Sequence, residues 1–206
     1  MIRRPPRSTQ GVSSAASDVY KRQLQDGEMW FHHDMSYTPE PHKATLLHAL
    51  DLPSKGGNTK FANMYLGYQN VPVDIEKRVR GRKVLQAYNF TMLEKVDLDE
   101  DLKNIQHQWQ PIFVKHPETG KTALYVSRLI SMAIEDLERK ESNQILSQLI
   151  EIAEDSSLVY EHVWQEGDLT MWAHRCSTHP RTDFPPEERR LLRRCTIEGG
   201  EMIAAA

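Results

Sequence analysis

Cysteine is scarce: Cys176 and Cys195 are the only two in 206 residues. Two thiols at that spacing build no disulfide framework and match no zinc motif, so a reducing, cytoplasmic setting is the default they imply. Long hydrophobic runs are missing as well. No apolar stretch reaches the roughly 18 residues that a membrane-spanning helix needs. Positive charge is not in excess either. A net charge of −3 argues against a generic binder of nucleic acid or anionic membrane. What is present, 39% apolar and 27% charged residues, suits a globular protein, and the length suits one domain with a sizeable core.

Residues 1–23 differ from the rest. They hold Arg3, Arg4, Arg7, Lys21 and Arg22 against a single acid, Asp18, with no apolar periodicity and no hydrophobic core of a secretory signal. Pro5-Pro6 and the lack of an amphipathic pattern speak against a transit peptide. The string from Val12 to Gln23 resembles translated adaptor read-through. The segment is therefore expected to be a non-native or disordered leader, with the folded domain over 24–206. Without it the chain is more acidic than its net charge suggests.

Along that domain the pattern is mostly strand-like. Apolar runs at 44–50 and 59–63 flank a dense turn around Gly56-Gly57-Asn58. Residues 64–82 read as helical, with Ile75 and Val79 one turn apart and Pro72 near a helix start. The polar, acidic stretch 94–108 reads as a surface loop or lid. A hairpin is expected from 110–114 and 123–126 around the turn at 116–121. A helix is expected over 141–154, its stripe of Ile145, Leu146, Leu149, Ile150 and Ile152 facing the core. Strands follow at 158–164, 169–172 and 189–197. Strands near both ends with helices between predict a mainly β fold with helical insertions, an antiparallel jelly roll.

Three stretches carry chemistry. In Trp30-Phe31-His32-His33-Asp34, an extended strand puts His32 and Asp34 on one face and His33 on the other. A histidine and a carboxylate on one face are two thirds of a facial metal site. The third ligand must come from far along the chain, and His179 is the best candidate. Two imidazoles and one carboxylate leave coordination positions open, as in non-haem iron(II) oxygenases. A structural zinc site would want four protein ligands. The last stretch, Arg189 to Arg194, places Arg190, Leu192 and Arg194 on one strand face. Taken alone it reads as a solvated basic face. Placed after His179 it suggests two inward guanidinium groups, each wanting an anion. His33 is expected to be packed or at the surface. His174, five residues before His179, shares neither a helix nor a strand face with it and stays outside the ligand set. His42, His48, His107, His116 and His162 show no partners at informative spacing.

Together these stretches resemble the taurine dioxygenase / dichlorophenoxyacetate dioxygenase (TauD/TfdA) family of iron(II)- and 2-oxoglutarate-dependent dioxygenases. The likeness covers about 28–201 and rests on four motifs: His32-His33-Asp34, Gly56-Gly57-Asn58-Thr59, the run from Gly167 to His179, and the paired-arginine strand. It implies a double-stranded β-helix with Fe(2+) held by His32, Asp34 and His179, and with 2-oxoglutarate and O2 as cosubstrates. By the same resemblance Thr59 and Arg190 hold the far carboxylate of 2-oxoglutarate. Arg194 faces the anionic group of a small organic substrate, and Trp172 lines the pocket. Succinate and CO2 are the implied products, and a homo-oligomer is compatible with this reading.

The chain departs from the family pattern in places. Ala173-His174-Arg175 stands where the family often has Asp-Asn-Arg, and Ser127 stands where it usually has Asn. Neither position is an implied ligand, and the role of Arg175 is left open. Family members carry a substantial segment before the HxD strand. Here few residues separate the leader from Trp30, so the supporting N-terminal sheet is expected to be incomplete. Two rivals stand beside this reading. One is a cupin-type metal-binding protein without 2-oxoglutarate chemistry, and the other is an inactive truncated fragment.

Overall fold

The computed structural model describes residues 29–88 and 102–205. It is mainly β, with twelve strands and three short-to-medium helices among the described residues. The strands are β1 (Met29–His32), β2 (Ala44–Asp51), β3 (Thr59–Asn63), β4 (Lys83–Ala87), β5 (His107–Pro111), β6 (Phe113–Lys115), β7 (Thr122–Leu124), β8 (Ser131–Ile134), β9 (Val159–His162), β10 (Leu169–Ala173), β11 (Ser177–Arg181) and β12 (Leu191–Ile197). The helices are α1 (Met64–Gln69), α2 (Val73–Val79) and α3 (Arg139–Ala153).

Two antiparallel sheets frame the site. One runs β1-β11-β3-β9 and the other β10-β2-β12. Their inward faces meet through the rings of Phe61 on β3, Trp172 on β10 and His179 on β11, with centroids 4.8–6.3 Å apart. A third sheet, β5-β4-β8, and the β6-β7 hairpin lie to one side with the helices. Most of the apolar core sits there: Val84, Ile112, Val114, Leu124, Leu149 and Ile150 are all buried together. Burying one such side chain contributes about 1.5–3 kcal/mol. The scaffold thus keeps most of its apolar mass beside the framing sheets, and the rings of Phe61 and Trp172 share the space between them with His179.

Local chemistry explains where elements begin and end. The helix expected over 64–82 is two helices. Asn63 caps α1 by accepting from the backbone N–H of Tyr65 and Leu66. The chain then breaks at Asn70 and Val71, and Pro72 stands before α2, where its missing N–H costs nothing. In α3 the predicted stripe is buried at Ile145, Leu146, Leu149 and Ile150, whereas Ile152 is only half-buried. The hairpin pairs 113–115 with 122–124, while Gln110 and Pro111 belong to β5 and pair with β4. Of the loop or lid expected at 94–108, residues 94–101 lie outside the described residues. Residues 102–106 are turn and bend, and 107–108 already belong to β5.

Candidate metal centre and anion site

The expectation that His32, His33 and Asp34 share one extended strand needs correction. Strand β1 ends at His32, and Asp34 opens a turn in which Met35 takes a positive φ of 60° and Thr38 N–H donates to Met35 O. The turn does not undo the convergence. The nearest approaches are 3.4 Å from His32 Nε2 to Asp34 Oδ1, and 3.9 Å from His179 Nε2 to the same oxygen. The ligand atoms of the three residues all lie within 4.8 Å of one another, and all three residues are buried. His179 arrives on β11, which pairs directly with β1, His32 opposite His179. His33 points the other way, fully buried against the Tyr125 ring at 4.2 Å.

Protons can be placed in this cluster. His32 Nδ1 lies 2.8 Å from Trp30 O, so that nitrogen carries an N–H and Nε2 is the ring nitrogen turned to Asp34. Burial and the neighbouring His32 hold the His179 imidazole well below its ordinary range, hence neutral at pH 7. Burial pushes Asp34 up, but His179, the His32 contact and Arg194 together outweigh it and hold the carboxyl well below its usual value. Two imidazole nitrogens and an ionised oxygen therefore converge on one space. Such a set of electron donors is stabilised by a cation and fits a divalent metal.

The second oxygen of Asp34 has a different task. Oδ2 receives the Thr45 hydroxyl at 3.2 Å and the Arg194 guanidinium at 2.5 Å, and His174 Nε2 lies 3.3 Å away. His174 Nε2 is also 2.7 Å from Thr45 Oγ1. Burial keeps this imidazole neutral, its value pushed down to about 4, and its Nδ1 meets no partner. With the N–H on Nε2, His174 donates to Thr45 and Thr45 donates on to Asp34. These three residues come from the β10-β2-β12 sheet and the turn after β10, so that sheet holds Oδ2 and leaves Oδ1 to face the two imidazoles. Spacing along the chain places His174 outside the ligand set; the structure puts it behind Asp34, a candidate ligand. Neither it nor Thr45 had a motif to announce it.

The arginine strand also differs from expectation. Strand β12 starts at Leu191, and its register against β2 shifts between Leu191 and Leu192, so the alternation from Arg190 to Arg194 is not that of one regular strand. The Arg194 side chain remains 43% exposed while it reaches Asp34. Arg190 lies ahead of the strand and donates from Nε to Gly57 O at 2.8 Å. Gly57 sits at φ +64°, and a Cβ there would come within 2.9 Å of Arg190 Cδ, so glycine is what lets this arginine fold against the turn. Among the described residues no carboxylate pairs with Arg190. Burial and the nearby Arg181 push its guanidinium down to about 10. Thr59 is buried at the start of β3, opposite Arg181 on β11. Arg181 follows His179 by two residues on the same strand, so alternation from His179 is the signal that would have found it. Trp172 packs its ring 4.8 Å from His179 and 5.9 Å from His174. It buttresses both imidazoles.

With this geometry in place, the comparisons with known proteins decide the family. The profile of the "Taurine catabolism dioxygenase TauD, TfdA family" matches residues 3–196. The chain belongs to that family. The match takes in most of the segment set apart above as a leader. The chain is 32% identical to pentalenolactone F synthase of Streptomyces arenae over 88% of its own length and 66% of that protein's. It is 30% identical to (S)-phenoxypropionate/alpha-ketoglutarate-dioxygenase of Sphingobium herbicidovorans, over 91% of this chain and 68% of that one. It thus spans about two thirds of the length of these curated relatives. Among solved structures, AAD-2 in complex with Mn(II) and N-oxalylglycine superposes with a TM-score of 0.77 over 96% of this chain and 82% of that one. At 23% identity that likeness speaks for the fold. No helix of the described residues is long and apolar enough to cross a membrane.

Proposed function

We propose that this chain is an Fe(II)- and 2-oxoglutarate-dependent dioxygenase acting on a small, anionic organic substrate, built on a double-stranded β-helix. The single observation that carries the reading is the buried convergence of His32 Nε2, Asp34 Oδ1 and His179 Nε2. Two imidazoles and one carboxylate are the donor set of the facial iron site. The facing sheets β1-β11-β3-β9 and β10-β2-β12 support the jelly roll. Family membership and relatives named for alpha-ketoglutarate chemistry support the cosubstrate. Two free cysteines fit the reducing cytoplasm.

In this reading His32, Asp34 and His179 hold iron(II). When bound with 2-oxoglutarate and O2, the metal supplies oxidation of an unactivated C–H bond coupled to release of succinate and CO2. The chain's own residues supply placement. Arg190 and Thr59 hold the far carboxylate of 2-oxoglutarate, the guanidinium by charge-assisted hydrogen bonds. Arg194, anchored to Asp34 by one nitrogen, has further N–H donors for the substrate's anionic group. Trp172 and Phe61 keep water from the imidazoles on the inner side. Arg190, a half-buried cation with no carboxylate partner among the described residues, favours this reading over a cupin-type metal protein, which has no need of an anion there.

The test is an anaerobic titration. Iron(II)-loaded protein should develop a weak visible absorption on addition of 2-oxoglutarate, followed in air by succinate release when the right small anion is supplied. Metal binding with no response to 2-oxoglutarate would leave the cupin-type alternative standing. Recovery of succinate release only after the relatives' remaining length is restored would place the substrate wall in that part.

A further inference from the structure

Thr59 offers one proton and two acceptor lone pairs, so which way it donates depends on what else touches its oxygen. The structure answers that. Trp164, two residues past the end of β9, directs its indole back onto β3, with Nε1 3.1 Å from Thr59 Oγ1; both residues are buried. An indole N–H donates and cannot accept. The Thr59 oxygen is therefore the acceptor in this contact, and its own O–H must point elsewhere.

The indole is itself held. The His162 ring stands edge-on to it, centroids 4.5 Å apart at 90°. His162 Nε2 in turn lies 3.1 Å from Asp168 Oδ2 and 3.3 Å from Thr170 Oγ1, which ties β9 to the start of β10. In the sequence His162 has no partner at informative spacing, and Trp164 stands at the end of an expected strand. A clamped donor beside a rotatable hydroxyl is a device for orienting that hydroxyl.

We propose that Trp164 is a positioning residue of the 2-oxoglutarate site. By occupying the acceptor side of Thr59 it commits the hydroxyl proton to the anion that Arg190 also serves. The inference rests on the function proposed above. Its test separates the two.

The affinity of 2-oxoglutarate is measured by calorimetry on Mn(II)-loaded protein for wild type, Trp164→Phe, Thr59→Val and the double variant. Trp164→Phe should weaken binding about five- to tenfold, the scale of one oriented hydrogen bond. In the Thr59→Val background the same change should have no further effect, because Trp164 acts only through the hydroxyl. Mn(II) affinity should not move in any variant. Equal losses in both backgrounds, or no loss at all, overturn the proposal. Absence of saturable 2-oxoglutarate binding in metal-loaded wild type overturns the function and the proposal together. Should Trp164→Phe fail to fold, Zn(II)-loaded wild type and Thr59→Val decide the matter. 2-Oxoglutarate should shift the Trp164 indole N–H resonance in the first and not in the second, and equal shifts overturn the proposal.

Discussion

The two charged ends of the candidate site, Asp34 and Arg190, are opposites. At one end Asp34, an anion, is crowded by Arg194, Thr45, His174 and His179, and its carboxyl is held well below the usual range. At the other end Arg190, a cation, donates to a backbone carbonyl and lies near the like-charged Arg181, with no carboxylate partner among the described residues, and its guanidinium is pushed down to about 10. A partly buried charge without an opposite one is costly, and proteins keep such arrangements chiefly where a ligand completes them. The Asp34 end is already organised. The Arg190 end is where the function proposed above places an anion. In the function proposed above, that difference fits the first to permanent metal holding and the second to a cosubstrate that comes and goes.

The comparison breaks most readily at Asp34. Asp34→Asn should abolish measurable Mn(II) binding and lower the melting temperature of the metal-free protein, since it strips the shared anion from Arg194 and His174. Calorimetry and a thermal melt check both. Unchanged metal affinity would remove Asp34 from the ligand set. Next in size is His174. His174→Leu should weaken Mn(II) binding about 10- to 100-fold, the usual cost of losing a residue that orients a metal ligand. His174→Asn, which keeps an N–H, should recover most of it. Equal loss in both variants would make His174 a packing residue only.

A smaller effect follows from acid. The folded chain keeps His174 and His179 neutral below their ordinary values, whereas the unfolded chain protonates them near pH 6.5. Unfolding therefore takes up protons in that range, and stability, complete above about pH 6.5, falls as pH drops toward the folded values. Denaturant melts of the metal-free protein at pH 7.5 and 5 should show the drop, and His174→Asn should lessen it. A flat profile would mean the imidazoles are not held neutral by burial.

Much of this was legible from residues alone, for identifiable reasons. His32, Asp34 and His179 announce themselves because metal ligation demands particular residue types, and the pairing of β1 with β11 brings them together. The α3 stripe was legible because a helix against a core imposes its period. The rest depends on facts with no local signature. The turn at Met35 replaces the expected strand without moving Asp34 out of reach, and the shift near Leu191 breaks the alternation that seemed to pair Arg190 with Arg194. The Thr45–His174 and Trp164–Thr59 hydrogen bonds span 129 and 105 positions of sequence, and nothing in the neighbouring residues encodes them.

The most direct test of the division between the two ends is an anaerobic titration of 2-oxoglutarate into iron(II)-loaded wild type and Arg190→Ala, with metal affinity measured on the same samples. The account predicts unchanged iron(II) affinity and 2-oxoglutarate binding weaker by about 10- to 100-fold, the loss of one charge-assisted contact. Wild-type 2-oxoglutarate affinity in Arg190→Ala would contradict it.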